Sequence, residues 1–180
     1  MKIIAIGGEP GAGKSTLMKE LLNVVSPEKN YENVKLVPFL SKNNIVYFLG
    51  KYDADGYIQG TDKMSMACQP AVIDWMKTIS PESTVLFEGD RLFSKSFLEH
   101  CLDNYDLQIY HLKTDKDIRN KRYIDRGSNQ NSTWLSGRET KINNILTNLT
   151  LMFSINTFHN NTFEEQQHII NRILLDINYD

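Results

Sequence analysis

Directly behind the apolar run Ile3-Ile4-Ala5-Ile6 stands Gly8-Glu9-Pro10-Gly11-Ala12-Gly13-Lys14-Ser15, a complete G-x-x-x-x-G-K-S phosphate loop. Its glycines let backbone N–H groups crowd around a polyphosphate, Lys14 offers a point charge to the terminal phosphates, and the Ser15 hydroxyl suits a Mg²⁺ shell. Such a loop requires a strand before it and a helix after it. Lys2 to Ile6 reads as a short buried strand, and Leu17, Leu21, Leu22 and Val25 recur at helical spacing until Pro27 stops them. The segment Gly8, Glu9, Pro10, Gly11, Ala12, Gly13, Lys14, Ser15 and Thr16 is therefore the expected cradle for ATP with Mg²⁺.

At 180 residues the chain fits one domain, residues 1–180, and its 41% apolar and 23% charged content is that of an ordinary globular protein. Met1-Lys2-Ile3 runs straight into the first strand and no apolar run approaches the length of a membrane span, so a cytoplasmic location away from membranes is expected. Cys68 and Cys101 lie in unrelated segments without C-x-x-C spacing and read as reduced, buried thiols. A net charge of -2 argues against coating nucleic acid through bulk electrostatics. One local exception runs from Lys113 to Arg126, where six basic residues face three acidic ones.

Along the chain, Val34 to Leu40 and Ile45 to Leu49 are β-rich runs separated by the turn-like Ser41-Lys42-Asn43-Asn44, so a hairpin is expected. Gly50 to Thr61 reads as a loop. Asp62 to Ile79 returns to helical spacing, with Pro70 dividing it into two helices. Thr84 to Phe87 is a second buried strand, Ser94 to Leu102 a helix and Leu107 to Leu112 a third strand. Thr114 with Asp117, Ser136 with Glu139 and Thr162 with Glu165 are spaced as capping boxes, opening helices to about Arg126, to about Leu149 and over the last segment. Leu151 to Ile155 completes the pattern as a short strand. Strands alternating with helices imply an α/β fold with a mainly parallel central sheet, helices on both faces, and a ligand site at the carboxyl ends of the strands.

Glu88 has the apolar-run-then-carboxylate form required of a residue that holds the Mg²⁺ shell beside Ser15, with Asp90 as a rival for metal or base. Arg91 is placed to clamp an acceptor or steady Glu88. Residues 119–138 combine Arg119, Arg122, Arg126 and Arg138 with a polar stretch from Gly127 to Thr133, the make-up of a lid that brings Arg122, Arg126 and Arg138 to the transferring phosphoryl group. The acceptor side falls to residues 50–69. There Asp53, Asp55 and Asp62 are candidate bases, Tyr52 and Tyr57 candidate stacking partners, and Gln69 has the donor and acceptor needed to read a nucleobase edge. The Asp53-Ala54-Asp55-Gly56 segment lacks the later ligands of a calcium loop, and the four histidines have no metal-ligand spacing. Trp75 belongs to the core, whereas Trp134, in the lid, is placed to contact substrate.

With Gly8 to Ser15, Phe87-Glu88-Gly89-Asp90-Arg91 and the arginine-bearing lid in view, the whole chain resembles P-loop kinases of the nucleoside and nucleotide monophosphate kinase type. The resemblance implies a P-loop NTPase fold with a helical lid, and roles for Glu88 and Arg91 at metal, base or acceptor. More narrowly, Gly60-Thr61-Asp62, Met64 to Pro70, the F-E-G-D-R-L-F segment and Gly137 to Lys141 are similar to small bacteriophage kinases, the 5-hydroxymethyluracil DNA kinases. This implies a nucleobase-bearing acceptor carried in modified DNA. Two other readings stay open: a kinase of free deoxynucleosides or deoxynucleotides, and a regulatory ATPase without acceptor. The guanine-reading N-K-x-D element is absent, since Asn120-Lys121-Arg122-Tyr123 lacks the aspartate.

Overall fold

The computed structural model describes residues 1–29, 34–52, 58–125, 127 and 131–178. Strand β1 (Lys2–Gly7) is an interior strand of a seven-stranded sheet. Beside it on one side lies β7 (Thr84–Glu88), and on the other β8 (Asp106–Lys113), both parallel to it. Beyond β7 comes β4 (Val46–Leu49), also parallel, and beyond β8 the edge strand β9 (Ile155–His159). The far edge is antiparallel: β3 (Phe39–Lys42) turns back on β4 as a hairpin, as expected, but residues 34–38 of the expected first run are not strand and Ser41 and Lys42, expected in the turn, belong to β3; the two-residue β2 (Glu28–Lys29) pairs with β3. The strand order is β2-β3-β4-β7-β1-β8-β9.

The continuous apolar runs follow from burial on both sides. Successive side chains alternate between faces, so Ile3 and Ala5 join one core while Ile4 and Ile6 join the other. The first core is covered by α2 (Cys68–Met76), α3 (Lys95–Asn104) and α5 (Ser132–Leu146), through residues such as Val72, Trp75, Phe97 and Ile145. The second is covered by α1 (Lys14–Val25) and α6 (Phe163–Asp176), through Leu17, Leu21, Ile169 and Ile173. Trp75 is core, as expected, packed edge-on to Tyr47, and Cys68 and Cys101 are buried free thiols.

Several boundaries differ from the sequence reading. Residues 62–67 form turns, and a single helix begins at Cys68. Pro70 is its third residue, where a missing N–H costs no intrahelical bond, so it starts the helix instead of splitting one. Within 50–61 the loop contains a small antiparallel pair, β5 (Lys51–Tyr52) and β6 (Ile58–Gly60). Residues 152–154 form a 3-10 turn, and the final strand begins only at Ile155. α5 starts ahead of Ser136, at Ser132, because the Asn131 side chain accepts the Trp134 N–H at 2.7 Å and caps the helix there; it ends at Leu146. Thr114 does not cap α4 (Lys116–Asp125); its hydroxyl donates to main-chain carbonyls instead. The third capping box is present: Glu165 N–H donates to Thr162 Oγ1 and the Thr162 N–H to Glu165 Oε2.

Candidate active site

The parallel registers Ile6↔Glu88 and Gly7↔His111 bring the entrance of the phosphate loop, the end of β7 and the end of β8 to one rim. The chain changes direction across the sheet at β1, which makes this rim the crevice where α/β sheets bind ligands. α1 opens there with Gly13 as its cap, in the left-handed region (φ 90°), and without a side-chain hydrogen bond. Its first-turn N–H groups are thus left for an anion. A Cβ on Gly13 would sit 2.5 Å from Asn160 Nδ2, so only glycine lets the loop approach that close.

Lys14 curls back over the loop and donates to the Gly8 and Glu9 carbonyls at 2.8 and 3.1 Å. Burial depresses its pKa, an effect opposed by Glu88, Asp90, Asp62 and Glu9. Opposite stands Glu88, 2% exposed. Burial drives its carboxyl up to about 7, with Lys14 pulling down and Asp62 and Asp90 pushing further up. Ser15 Oγ lies 3.5 Å from Glu88 Oε1. Space for this carboxylate exists because residue 60 is glycine: a Cβ there would meet Glu88 Oε1 at 2.1 Å. The Thr61 hydroxyl is buried nearby without a hydrogen-bond partner among the described residues, and its N–H donates to the Glu88 carbonyl at 3.0 Å.

These oxygens suit Mg²⁺, which is held by one or two carboxylate or hydroxyl groups while keeping waters and substrate phosphates. Among the described residues no group of three or more His, Cys, Asp or Glu side chains forms a self-sufficient metal cage. A metal shared with the nucleotide is what the donor set fits.

A cavity of about 230 Å³ opens beside the loop. Its lining includes Asp62, Glu88 and Asp90 together with Tyr123, Trp134, Arg138 and Ile142. Asp62 Oδ1 accepts the Asp90 N–H at 2.6 Å. Asp90 Oδ2 is paired with Arg138 at 2.7 Å, and Lys141 donates to the Asp90 carbonyl at 2.9 Å. The Arg138 guanidinium also stacks over Trp134, 5.0 Å from the ring centre. Trp134 is 38% exposed, a large aromatic surface facing the cavity.

Other expected site residues lie elsewhere. Gln69 does not line this cavity; its amide donates to the Arg91 carbonyl at 2.7 Å and to Ser94 Oγ at 3.1 Å, bracing the turn after β7. Arg91 donates from Nε to the Met64 carbonyl at 3.3 Å and ties that turn to residues 61–64. Arg122 donates to the carbonyls of Gly11 at 3.1 Å and Asn160 at 3.0 Å, so it clasps the phosphate loop from the back. Asp53 and Arg126, with Asp55 and Tyr57, lie outside the described residues.

Several contributors escaped the sequence reading. Asn160 donates to the Ala12 carbonyl at 2.7 Å, Thr114 donates to Ala12 and Asn160, and the Tyr123 hydroxyl donates to the Pro10 carbonyl. Each follows from position: Thr114 and Asn160 end the two strands β8 and β9 at the rim, and Tyr123 sits one turn from Arg119 on the inward face of α4.

The model for the family described as P-loop Nucleotide Kinase3 matches residues 1–156. The chain belongs to that family. This kinase also shares its fold with solved structures of low identity. One is an unliganded sugar kinase from Janibacter sp. HTCC2649, with 14% identity, TM-score 0.53, and 99% of this chain and 95% of that one covered. Another is a shikimate kinase from Acinetobacter baumannii in complex with shikimate, with 14% identity, TM-score 0.51 and coverage of 98% and 93%. A gluconokinase from Sinorhizobium meliloti 1021 shows 11% identity, TM-score 0.50 and coverage of 99% and 96%. No curated protein matches significantly. The chain is thus a P-loop kinase, a phosphotransferase built around the loop at Gly8 to Ser15. Among the described residues no helix is long and apolar enough to cross a membrane.

Proposed function

We propose that this kinase transfers the γ-phosphoryl group of ATP, with Mg²⁺, to a hydroxyl on a nucleobase-bearing acceptor, most specifically the hydroxymethyl group of 5-hydroxymethyluracil in DNA. The observation that carries the reading is the lining of the cavity beside the loop, where the carboxylates Asp62 and Asp90 share the space with Trp134 and Arg138. Such a cleft suits a flat, hydroxyl-bearing group held against an aromatic ring. The finer choice of acceptor is supported by the sequence resemblance to the phage enzymes.

In this reading Lys14 and the loop amides hold the β- and γ-phosphates, and Ser15 and Glu88 would hold the metal, which would supply positive charge against the phosphate oxygens. Of the carboxylates at the rim, Glu88 faces Lys14 and Ser15, and Asp90 is occupied by Arg138. Asp62 accepts the Asp90 N–H at Oδ1, and in this reading its other carboxylate oxygen faces the acceptor. It takes the proton from the acceptor hydroxyl as that oxygen bonds to the γ-phosphorus and the bond to the β-phosphate oxygen breaks, releasing ADP. Residues 119–138 act as a lid, and Arg138 exchanges Asp90 for the transferring phosphoryl group when nucleotide arrives. The whole reading treats residues 1–180 as one kinase domain.

Incubation with γ-labelled ATP, separately with hydroxymethyluracil-containing DNA, free nucleosides and nucleotides, and small hydroxy acids, identifies the acceptor. Label in the modified DNA is the expected result. Label only in a free nucleoside or nucleotide would replace the polymer acceptor with the monomer, and label only in a hydroxy acid would remove the nucleobase altogether. ATP consumption unaffected by every acceptor would instead fit a regulatory ATPase.

A further inference from the structure

Each main-chain carbonyl from Glu88 to Arg91, at the end of β7 and in the turn behind it, accepts a hydrogen bond. The Thr61 N–H donates to Glu88 at 3.0 Å, the Phe93 N–H to Gly89 at 3.1 Å, Lys141 Nζ to Asp90 at 2.9 Å and Gln69 Nε2 to Arg91 at 2.7 Å. Among these donors, Lys141 is the one that comes from α5, the helix that carries Arg138. Its ammonium also stands 3.6 Å from Asp90 Oδ1, while Arg138 takes Oδ2 at 2.7 Å. Asp90 in turn sends its N–H to Asp62 Oδ1 at 2.6 Å. Lys141 therefore reaches Asp62 through a single intervening residue.

The two cations on α5 are set differently. Arg138 lines the cavity beside the phosphate loop and stands on the stretch of the helix that has no buried residue. Lys141 is not part of that lining, and it immediately precedes Ile142, which with Ile145 anchors the helix in the core. A side chain that swings suits the first position, and a fixed post suits the second. When Arg138 turns to a phosphate, the Asp90 carboxylate is left near Asp62 and Glu88, whose charges repel it. The cation that stays with Asp90 is then Lys141.

We propose that Lys141 is a positioning residue for phosphoryl transfer: it holds Asp90 by carbonyl and carboxylate when Arg138 moves to the phosphates, so that the Asp90 N–H keeps Asp62 aimed at the acceptor hydroxyl. The proposal rests on the reading of Asp62 as the base. No bond or proton changes at Lys141 itself. With Oδ1 pinned by the Asp90 N–H, the Asp62 carboxylate cannot rotate freely, and its second oxygen keeps one direction. Orientation of this kind acts on the chemical step and leaves nucleotide binding alone.

Two variants of the full chain test this: Lys141→Met, which keeps the stem and removes the ammonium, and Lys141→Arg, which restores donor and charge. The first readout needs no acceptor. It is the amide proton signal of Asp90, which a hydrogen bond to a carboxylate moves downfield in the NMR spectrum. The signal should stay downfield in wild type and Lys141→Arg with or without a non-hydrolysable MgATP analogue, and move upfield in Lys141→Met once the analogue is added. The second readout is kinetic, with MgATP and hydroxymethyluracil-containing DNA. Lys141→Met should lower kcat about tenfold at unchanged KM for ATP, and Lys141→Arg should recover most of that loss. Added to Asp62→Asn, Lys141→Met should cost little more, because the two act in series. The proposal is overturned if the Asp90 signal of Lys141→Met stays downfield with the analogue bound, or if its kcat loss adds in full to that of Asp62→Asn. A wrong base assignment has a separate mark: Asp62→Asn would then keep the wild-type kcat, whereas a wrong role for Lys141 leaves Asp62→Asn slow and Lys141→Met like wild type.

Discussion

The phosphate cradle and the α4–α5 rim line one cavity but are built in opposite ways. The cradle is made of backbone: Lys14 donates to loop carbonyls, and Asn160, Thr114, Arg122 and Tyr123 all donate to loop carbonyls from behind. The carboxylate that faces Lys14 and Ser15 from β7, Glu88, is buried. The rim is made of side chains on helices with little buried surface. α4 has no buried residue, and α5 has only Ile142 and Ile145. α4 is tied to the loop through Arg122 and Tyr123, whereas α5 reaches the cradle side through the partly exposed Arg138–Asp90 pair and Lys141. A preorganised anion site gains most from rigidity, whereas a wall that must admit and release an acceptor needs contacts that break cheaply.

The contrast is tested most severely at Lys14. Lys14→Ala should lower kcat/KM by about 10³-fold or more, the scale expected when a preorganised charge on the transferring group is lost. Near-normal turnover in steady-state assays would remove the cradle from the chemistry.

Glu88→Gln comes next, with an expected loss of about 10²-fold in kcat and a weaker Mg²⁺ dependence. It also carries a pH signature. The folded carboxyl keeps its proton up to about 7, while the unfolded one releases it near 4.5, so the folded state binds more protons in that window. Metal-free protein should therefore lose stability as pH rises from about 4.5 to about 7, by about 3 kcal/mol from this group, and stay level above. Thermal melts of wild type against Glu88→Gln isolate the contribution: the variant should lack this share of the slope. Identical slopes would show that Glu88 ionises as freely in the folded chain as in the unfolded one.

The same division separates what residue order alone discloses from what needs the folded chain. The cradle is contiguous in sequence, so Gly8 to Ser15, the strand ending at Glu88 and the Thr162–Glu165 cap are all legible as local patterns. The rim and the braces depend on which residues meet in space. Gln69 has the groups of a base-reading residue, but the turn after β7 uses them. Thr114 fits a capping box by spacing, yet its position at the end of β8 points its hydroxyl at Ala12. Asn131 takes the cap from Ser136 because a single side-chain acceptor earlier in the chain is enough to start the helix. Gly60 reads locally as a turn glycine, and only the folded chain reveals that its missing Cβ makes room for Glu88. One local signal carried more than its charge: Arg138 and Lys141, three residues apart, share a helix face and both reach Asp90.

On the acceptor wall, Asp62→Asn should lower kcat by about 10²-fold with little change in the KM for ATP, as expected for loss of a general base. The isosteric amide still accepts the Asp90 N–H, so the turn itself should persist. Equal losses in kcat and in nucleotide affinity would move Asp62 from the acceptor side to the cradle.

The smallest effect is expected at the latch. The Arg138–Asp90 pair is about 29% and 28% exposed and pairs at 2.7 Å, with Lys141 adding a second contact to Asp90 at 3.6 Å. Burial lowers the Lys141 pKa, and Asp90 offsets this in part. A partly exposed pair of this kind contributes about 1 kcal/mol or less, so Asp90→Asn should cost the free enzyme no more than that. With a non-hydrolysable MgATP analogue bound, Arg138 has a phosphate partner instead, and the difference between variant and wild type should shrink toward zero. Melting curves with and without the analogue, repeated at high salt, measure this directly. A penalty that persists undiminished in the nucleotide-bound enzyme would mean that Arg138 never leaves Asp90, and the rim would then be as fixed as the cradle.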